Sequence, residues 1–259
     1  MYRIYFEEYV IYFNVGQGNM SIIKKDGKVI VIDAGSTQEN LASSILNNFL
    51  LAKAENEIDL LLITHMHTDH MNVIYGIDAK IKKVGYSIPK EKTEEYFKFE
   101  KFLDENNISK MELKKDDKIT FDNISIDILL PYNDRVIYSD DIANSNSIVA
   151  LVNLKENKKN IKLLYMGDAT IETEKELLNN IHLNEDDKLK DISVLQIGHH
   201  GSKTSTSEEF LSYLNINLAV ISSKKKVYGH PAKETLDKLN KYNIRYKITE
   251  KDGAVIIKM

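Results

Sequence analysis

The sequence predicts an α/β (α+β) protein in which two mixed β-sheets pack face to face with helices outside. Short apolar runs of strand length recur along the chain, some in consecutive groups and some alternating with helix-patterned segments. That mixture does not suit a simple doubly wound sheet and does suit two packed sheets. An Asp26-Gly27 pair separates two strand-like runs, a strong short-range hairpin signal. A buried-strand run from Ile58 to Thr64 then ends directly in a cluster of histidines.

In order, Val10 to Phe13 leads into Gly16-Gln17-Gly18, and Met20 to Ile23 and Val29 to Ile32 flank the Asp26-Gly27 turn. Glu39 to Ala54 carries Leu41, Ile45, Phe49 and Ala52 at helical spacing. Glu91 to Asn106 is a second helix, with Tyr96, Phe99, Phe102 and Leu103 on one side, a core-facing stripe in preference to a lid. Strand-like runs follow at Lys118 to Phe121, Ile124 to Leu130, Ser147 to Leu154 and Ile161 to Met166. The polar segment Pro131 to Ser145, with Asp140-Asp141, reads as a solvated loop. The last third reads as a helix (Ile171 to Asn180), a strand (Ile192 to Ile197), a helix (Glu208 to Leu214) and a strand (Leu218 to Ser222). A helix from Pro231 to Tyr242 and two short strands finish it. No repeat and no low-complexity linker divides the chain, so residues 1–259 read as a single domain.

Hydrophobic residues make up 42% and charged residues 29% of the chain, as in an ordinary globular protein. The net charge of -4 gives no global basic field, so any contact with nucleic acid must come from a local patch or bound cations. With no cysteine, disulfides are excluded and any metal must sit among nitrogen and oxygen ligands. Arg3, Glu7 and Glu8 interrupt the apolar start Met1 to Phe13, which is not a signal-peptide pattern. The longest apolar runs, such as Leu60 to Ile63, are far too short for a membrane span. The expectation is a cytoplasmic protein without a membrane segment.

The chemistry concentrates in His65-Met66-His67-Thr68-Asp69-His70. In an extended segment His65 and His67 point to the same side and reach one ion; Asp69 and His70 follow where the chain turns and reach a second nearby. Imidazole and carboxylate without sulfur suit zinc, with manganese or iron as alternatives, and one or two ions per chain. Asp168 ends the apolar run Leu163 to Met166 just before a helix. Such a carboxylate commonly caps the helix; beside a metal cluster it is also a candidate to bridge two ions. Gly198-His199-His200-Gly201-Ser202 ends another strand-like run, and one of its two rings is a candidate acid, base or phosphate contact. Tyr228-Gly229-His230-Pro231 supplies a further nitrogen, with Pro231 placed to open a helix. His182, away from any glycine loop, reads as structural or surface.

With these residues in view the sequence resembles the metallo-β-lactamase fold. More narrowly, Asn14-Val15-Gly16-Gln17-Gly18-Asn19, Asn144-Ser145-Asn146-Ser147, the segment from Gly198 to Ser205 and Tyr228-Gly229-His230-Pro231 resemble the C-terminal hydrolase domain of ComEC-type DNA-uptake proteins. The resemblance implies a four-layer αββα sandwich with metals at one edge between the sheets. It implies that His65 and His67 hold one ion, that Asp69, His70 and His230 hold the other, and that Asp168 bridges them. The His199-His200 loop resembles the one that supplies a substrate-contacting histidine in phosphodiesterase members such as RNase Z. The same motifs mark Asn146, Ser147, Ser202 and Lys203 as substrate-binding candidates. Two departures stand out. No histidine lies between His70 and Asp168, where the general fold has a further ligand; the Asn144 to Ser147 segment occupies that place. ComEC-type proteins also join this domain to membrane helices, so DNA uptake does not carry over.

The expected reaction is hydrolysis by a metal-activated water, with Asp69 orienting or deprotonating it and His199 or His200 assisting the leaving group. Lys203 and Lys224-Lys225-Lys226 read either as a solvated charge run or as contacts to a phosphate backbone, and the second reading favours a phosphodiester: DNA, RNA or a small nucleotide. The alternatives are a small carboxylic ester, lactone or thioester as substrate, or a non-catalytic metal-binding module.

Overall fold

The computed structural model describes residues 7–156, 159–184 and 187–259, without the side chains of 182–184 and 187. The reading of His182 and that of residues 1–6 therefore fall outside what is described.

The first half runs β1 (Tyr9–Tyr12), β2 (Met20–Lys25), β3 (Lys28–Ala34), α1 (Glu39–Ala52), β4 (Glu57–Ile58), β5 (Leu60–Ile63), α2 (Thr68–Met71), β6 (Lys80–Ile81), β7 (Lys83–Tyr86), α3 (Glu94–Glu105), β8 (Ser109–Glu112), β9 (Lys118–Phe121), β10 (Ile124–Leu130) and α4 (Ile142–Ser145). The second half runs β11 (Val149–Glu156), β12 (Lys159–Tyr165), α5 (Ile171–Asn184), β13 (Asp191–Gln196), α6 (Glu208–Tyr213), β14 (Asn215–Ile221), α7 (Lys225–Tyr228), α8 (Lys233–Lys241), β15 (Tyr246–Ile248), α9 (Thr249–Asp252) and β16 (Val255–Lys258).

Two seven-stranded sheets result, in the orders β16-β1-β2-β3-β5-β7-β8 and β15-β14-β13-β12-β11-β10-β9, with β4-β6 as a small separate pair. Both sheets are mixed in the same way. In the first, pairing is antiparallel from β16 to β3 and parallel from β3 to β8. In the second it is antiparallel from β9 to β12 and parallel from β12 to β15.

Period-two alternation places three apolar layers. On β3, Ile30 and Ile32 face the second sheet, where they meet Ile126, Val152, Leu163 and Val220. The alternate residues Val29 and Val31 face outward onto Leu46 and Leu50 of α1 and Phe99 and Leu103 of α3. The second sheet repeats the device: Leu164 and Leu195 face Leu177 and Leu178 of α5, Phe210 of α6 and Leu239 of α8. This is the four-layer αββα sandwich of the metallo-β-lactamase fold.

Several elements depart from expectation. In α1 the buried stripe is Ala42, Leu46 and Leu50, one residue beyond the expected one, and Leu41 is exposed. Asp59 breaks the run from Ile58 to Thr64, because its carboxylate accepts from the Val29 amide at 3.0 Å and from Lys82 at 3.1 Å. The loop from Pro131 to Ser145 contains α4, capped where Asp141 accepts from the Asn144 amide. Pro231 does not open the last long helix; Ala232 is its N-cap and Lys233 its first residue. Strands β7 and β8 carry no strong pattern: Gly85 interrupts one, and the other is a polar edge strand. Among the described residues no helix is long and apolar enough to cross a membrane.

Candidate metal centre

Parallel strands deliver the site. β3 ends at Asp33-Ala34, β5 leads into Thr64-His65, β12 into Gly167-Asp168, β13 into His199-His200 and β14 into Ser222. All five carboxyl ends open at one edge between the sheets, the end where open parallel sheets bind ligands. Two glycines let the loops close on one another. A Cβ on Gly35 would lie 2.2 Å from the His70 amide nitrogen, and one on Gly18 2.3 Å from the Gly35 carbonyl oxygen. The Asn19 amide, 3.0 Å from the Asp69 carbonyl, ties the loops together.

His70 is fully buried and donates Nδ1–H to Asp33 Oδ2 at 2.8 Å. Asp33 is itself fixed by the Thr64 amide at 2.8 Å and the Thr64 hydroxyl at 3.0 Å. His200, also buried, donates Nδ1–H to the Ser222 carbonyl at 2.7 Å. Both rings therefore turn Nε2 inward, and these two atoms lie 3.3 Å apart. Around them stand Asp168 Oδ1, 3.1 Å from His70, and Asp69 Oδ2 and Asp168 Oδ2, 3.3 Å and 3.5 Å from His200. His65 completes the cluster, with Nδ1 3.2 Å from the Thr64 hydroxyl and a buried Nε2 that has no partner.

Two ligand groups share His70: His65, His70 and Asp168, and Asp69, His70 and His200. In each, the donor atoms lie within 4.8 Å of one another. The residues fit a divalent cation. Imidazoles that have spent their Nδ1 protons can meet each other and two carboxylates through Nε2 only around a proton or a metal ion, and carbonyl or carboxylate partners on Nδ1 are the usual support for metal-binding histidines. The orphaned His65 Nε2 supports the same conclusion.

The electrostatics show how strongly this cluster favours positive charge. Burial opposes charge on His70, yet Asp168 and Asp33 raise it well above the imidazole range. His200 is raised against the same burial cost by Asp168 and by Asp69. Burial favours protonation of Asp168, but His200 and His70 hold its carboxyl well below the carboxylate range. Asp69 is likewise lowered against burial, chiefly by its hydrogen bond to His200. His65 is lowered by burial and by neighbouring His70.

The remaining expected residues stand around this cluster. His67 is half-buried, 4.7 Å ring to ring from His65, and its donors belong to neither ligand group. His230, expected beside Asp69 and His70, also lies outside both groups; the group with Asp69 and His70 includes His200. Its ring packs 5.7 Å from that of His199, its Nδ1 is buried without a partner, and burial lowers it to about 4.

His199 takes a different position from its neighbour. It bonds the Thr204 hydroxyl at 3.0 Å and Asn144 Nδ2 at 3.3 Å, and Nε2 lies 4.0 Å from Asp168 Oδ2. Both histidines adopt the left-handed conformation, with φ 49° and 53°, a strain that clusters at functional sites. Glu174 on α5 pins this loop by accepting from the Thr206 and Ser207 amides at 2.5 Å and 2.7 Å.

The substrate-binding candidates are largely committed to the fold. Asn146 bonds the Ile137 amide and the Ile137 and Ile142 carbonyls, and Ser147 Oγ accepts from the Asp168 amide at 3.3 Å. Ser202 bonds Thr204 within its own loop, and Lys203 is exposed. Three functional residues lay outside the expected set: Asp33, Thr64 and Asn144. Asp33 was findable, since it ends an apolar strand just as Asp168 does; Asn144 lay in a singled-out motif two residues from the one chosen.

The Metallo-beta-lactamase superfamily profile matches residues 13–134. Two curated relatives match across 93% of the chain: ComE operon protein 3 of Bacillus subtilis, 28% identical over 262 residues, and Recombination protein 2 of Haemophilus influenzae, 29% identical over 244 residues. The chain spans 32% and 28% of their lengths, less than a third in each case. Among solved structures, a metallo hydrolase from the archaeon Ignicoccus hospitalis superposes with a TM-score of 0.58 at 14% identity, over 97% of this chain and 99% of its own. The chain thus has the metallo-β-lactamase fold, with a candidate divalent-cation site at the edge between its sheets, and its sequence is similar to a part of each of these two curated relatives.

Proposed function

We propose that this chain is a metal-dependent phosphodiesterase, acting on nucleic acid or a small nucleotide ester. The observation that carries the reading is the pair of ligand groups sharing His70, with Asp168 set between them. Two adjoining cation sites suit the in-line displacement of a phosphodiester, whose attacking and leaving oxygens both need charge neutralised. His65, His70, Asp168, Asp69 and His200 would hold zinc or manganese, which when bound would acidify water and neutralise phosphoryl oxygens.

The chain's own groups supply the rest. Asp69 stays ionised and half-buried on the groove side, so its carboxylate can orient a water and take its proton. Burial keeps His199 neutral near pH 7; with Asn144 and Thr204 fixing the ring, it can contact a phosphoryl or leaving-group oxygen. Lys203, Lys225 and Lys226 are exposed, with only the Lys225 backbone amide bonded to a carboxylate, that of Glu250 at 3.0 Å, so their ammonium groups can meet a phosphate chain although the protein is acidic overall.

The test is metal content of the purified protein together with hydrolysis of bis(p-nitrophenyl) phosphate, with and without added Mn²⁺ or Zn²⁺. Metal-dependent turnover that is lost in Asp69→Ala supports the reading. Bound metal without turnover transfers it to a carboxylic ester, lactone or thioester, or to a binding role; failure to bind metal under any condition removes it.

A further inference from the structure

A groove of about 690 Å³ opens from the metal centre past His65, His67 and Asp69 toward α3 and α4. That volume falls within the roughly 300–1,000 Å³ of small-ligand pockets. Its charge is opposite to what a phosphate chain requires. Glu91, Glu95, Asp140 and Asp141 line it, and its one lysine, Lys90, is spent on the Tyr132 carbonyl at 2.7 Å and the Asn133 carbonyl at 3.4 Å. Met66, Ile88, Pro89, Ile142 and Ala143 give the rest of the wall an apolar part, beside the uncharged polar Ser87, Thr93 and Asn146.

At the mouth stands Tyr228, 64% exposed although it is a large aromatic, its ring 6.1 Å from that of His230. It ends α7, which also carries exposed Lys225 and Lys226. Lys224 is engaged by Gln38 at 3.0 Å. The site thus has two unlike flanks: a basic one on α7 and the Lys203 loop, and an acidic and apolar groove with an aromatic face at its entrance.

Building on the phosphodiesterase reading, we propose that the groove takes one unpaired nucleobase stacked on Tyr228, so that the chain acts on single-stranded or frayed phosphodiester ends and not on paired duplex. The phosphates run along the basic flank, where their charge is matched. The uncharged base turns into the groove, where the carboxylates would repel a phosphate but can accept hydrogen bonds from exocyclic amines. A paired base cannot make this turn, and a second strand would bring its phosphates against Glu91, Glu95 and Asp140. Every base has a π-face, so stacking on Tyr228 favours unpaired strands without selecting a sequence.

The experiment compares four substrates with the metal-loaded protein: a short single strand, a blunt duplex of the same sequence, oligothymidylate, and an abasic deoxyribose phosphate chain of equal length. Binding is read by fluorescence anisotropy and cleavage by kcat/KM. The single strand is expected to exceed the duplex, and oligothymidylate the abasic chain, by about tenfold, the size of one stacked base. Tyr228→Ala should lose that factor on oligothymidylate and lose nothing further on the abasic chain, while Tyr228→Phe retains it. Equal cleavage of single strand and duplex, or an unchanged Tyr228→Ala, overturns the base subsite and leaves the phosphodiesterase reading intact. Absence of cleavage on all four substrates overturns the base subsite, and if bis(p-nitrophenyl) phosphate is spared as well, the phosphodiesterase reading falls with it.

Discussion

His70 and His200 face each other with their Nε2 atoms 3.3 Å apart, and each has committed its Nδ1 proton elsewhere, to Asp33 and to the Ser222 carbonyl. Neither ring can turn to relieve the contact without stranding a buried partner. The fold therefore builds in a demand for positive charge before any ligand arrives. Protons meet it in part, which is why both imidazoles titrate high despite burial.

That demand predicts a stabilising metal whose affinity depends on Asp33. Zinc or manganese at about 100 times its dissociation constant should add about 2.7 kcal/mol to stability, readable as a rise in Tm. Asp33→Asn leaves the ligands in place but presents an amide where His70 Nδ1, the Thr64 amide and the Thr64 hydroxyl all point. Metal affinity should fall roughly 10–100-fold, measured by competition with a chelator. Unaltered affinity would show that Asp33 does not orient His70.

Close packing of backbone on the metal loop gives a second prediction. Gly35→Ala places a methyl 2.3 Å from the Asp69 carbonyl carbon, against backbone that cannot swing aside, so the Asp69-His70 turn must move. Metal retention and hydrolysis should both collapse. Gly27→Ala is the control: it carries the same added methyl in the β2–β3 turn, with φ +75° but nothing within 4 Å. It should cost only about 1–2 kcal/mol of backbone strain and leave metal binding alone. Equal behaviour of the two variants in a chelator competition would refute the packing argument.

Glu174 provides a third, in which pH fixes the sign. Its carboxylate is fully buried, and burial raises its pKa although the Ser207 and Thr206 amides bond to it. A raised folded pKa means that the group's contribution to stability is full below its unfolded value and declines as pH rises through the folded one. Glu174→Ala removes both acceptors and should destabilise by about 1–3 kcal/mol for each amide left buried without one. The gap in Tm between the two proteins should widen on acidification toward the ordinary glutamate pKa of about 4.3 and narrow above the raised one. A gap that widens with rising pH would contradict the assignment.

The layers were legible because period two shows on both faces of a strand: Val29 and Val31 point one way and Ile30 and Ile32 the other. The His65 to His70 string was legible because its ligands are adjacent in sequence. What sequence hid was contact across the chain. Asp33 lies 37 residues from His70, and nothing local says which strand-end carboxylate a histidine will meet. Likewise His199-His200 gives no clue as to which ring turns inward, since consecutive left-handed residues send the two side chains in different directions. The α1 stripe was displaced by one residue because Leu41 and Ala42 pattern equally well, and only packing shows that the smaller residue is the buried one.

The two adjacent histidines should therefore separate by experiment. His200 Nε2 belongs to a ligand group with Asp69 and His70, so His200→Ala should lower metal content and, with it, every activity. His199 belongs to neither group; it stands at the edge of the cluster, 23% exposed at the side chain and braced by Asn144 and Thr204. His199→Ala should keep metal content and Tm while kcat falls by roughly 10²–10⁴, the usual weight of a positioned acid or base. Asn144→Ala, which frees the ring without removing it, should lie between His199→Ala and the unaltered chain. Metal loss in His199→Ala, or full turnover in it, would reverse the assignment of the two rings.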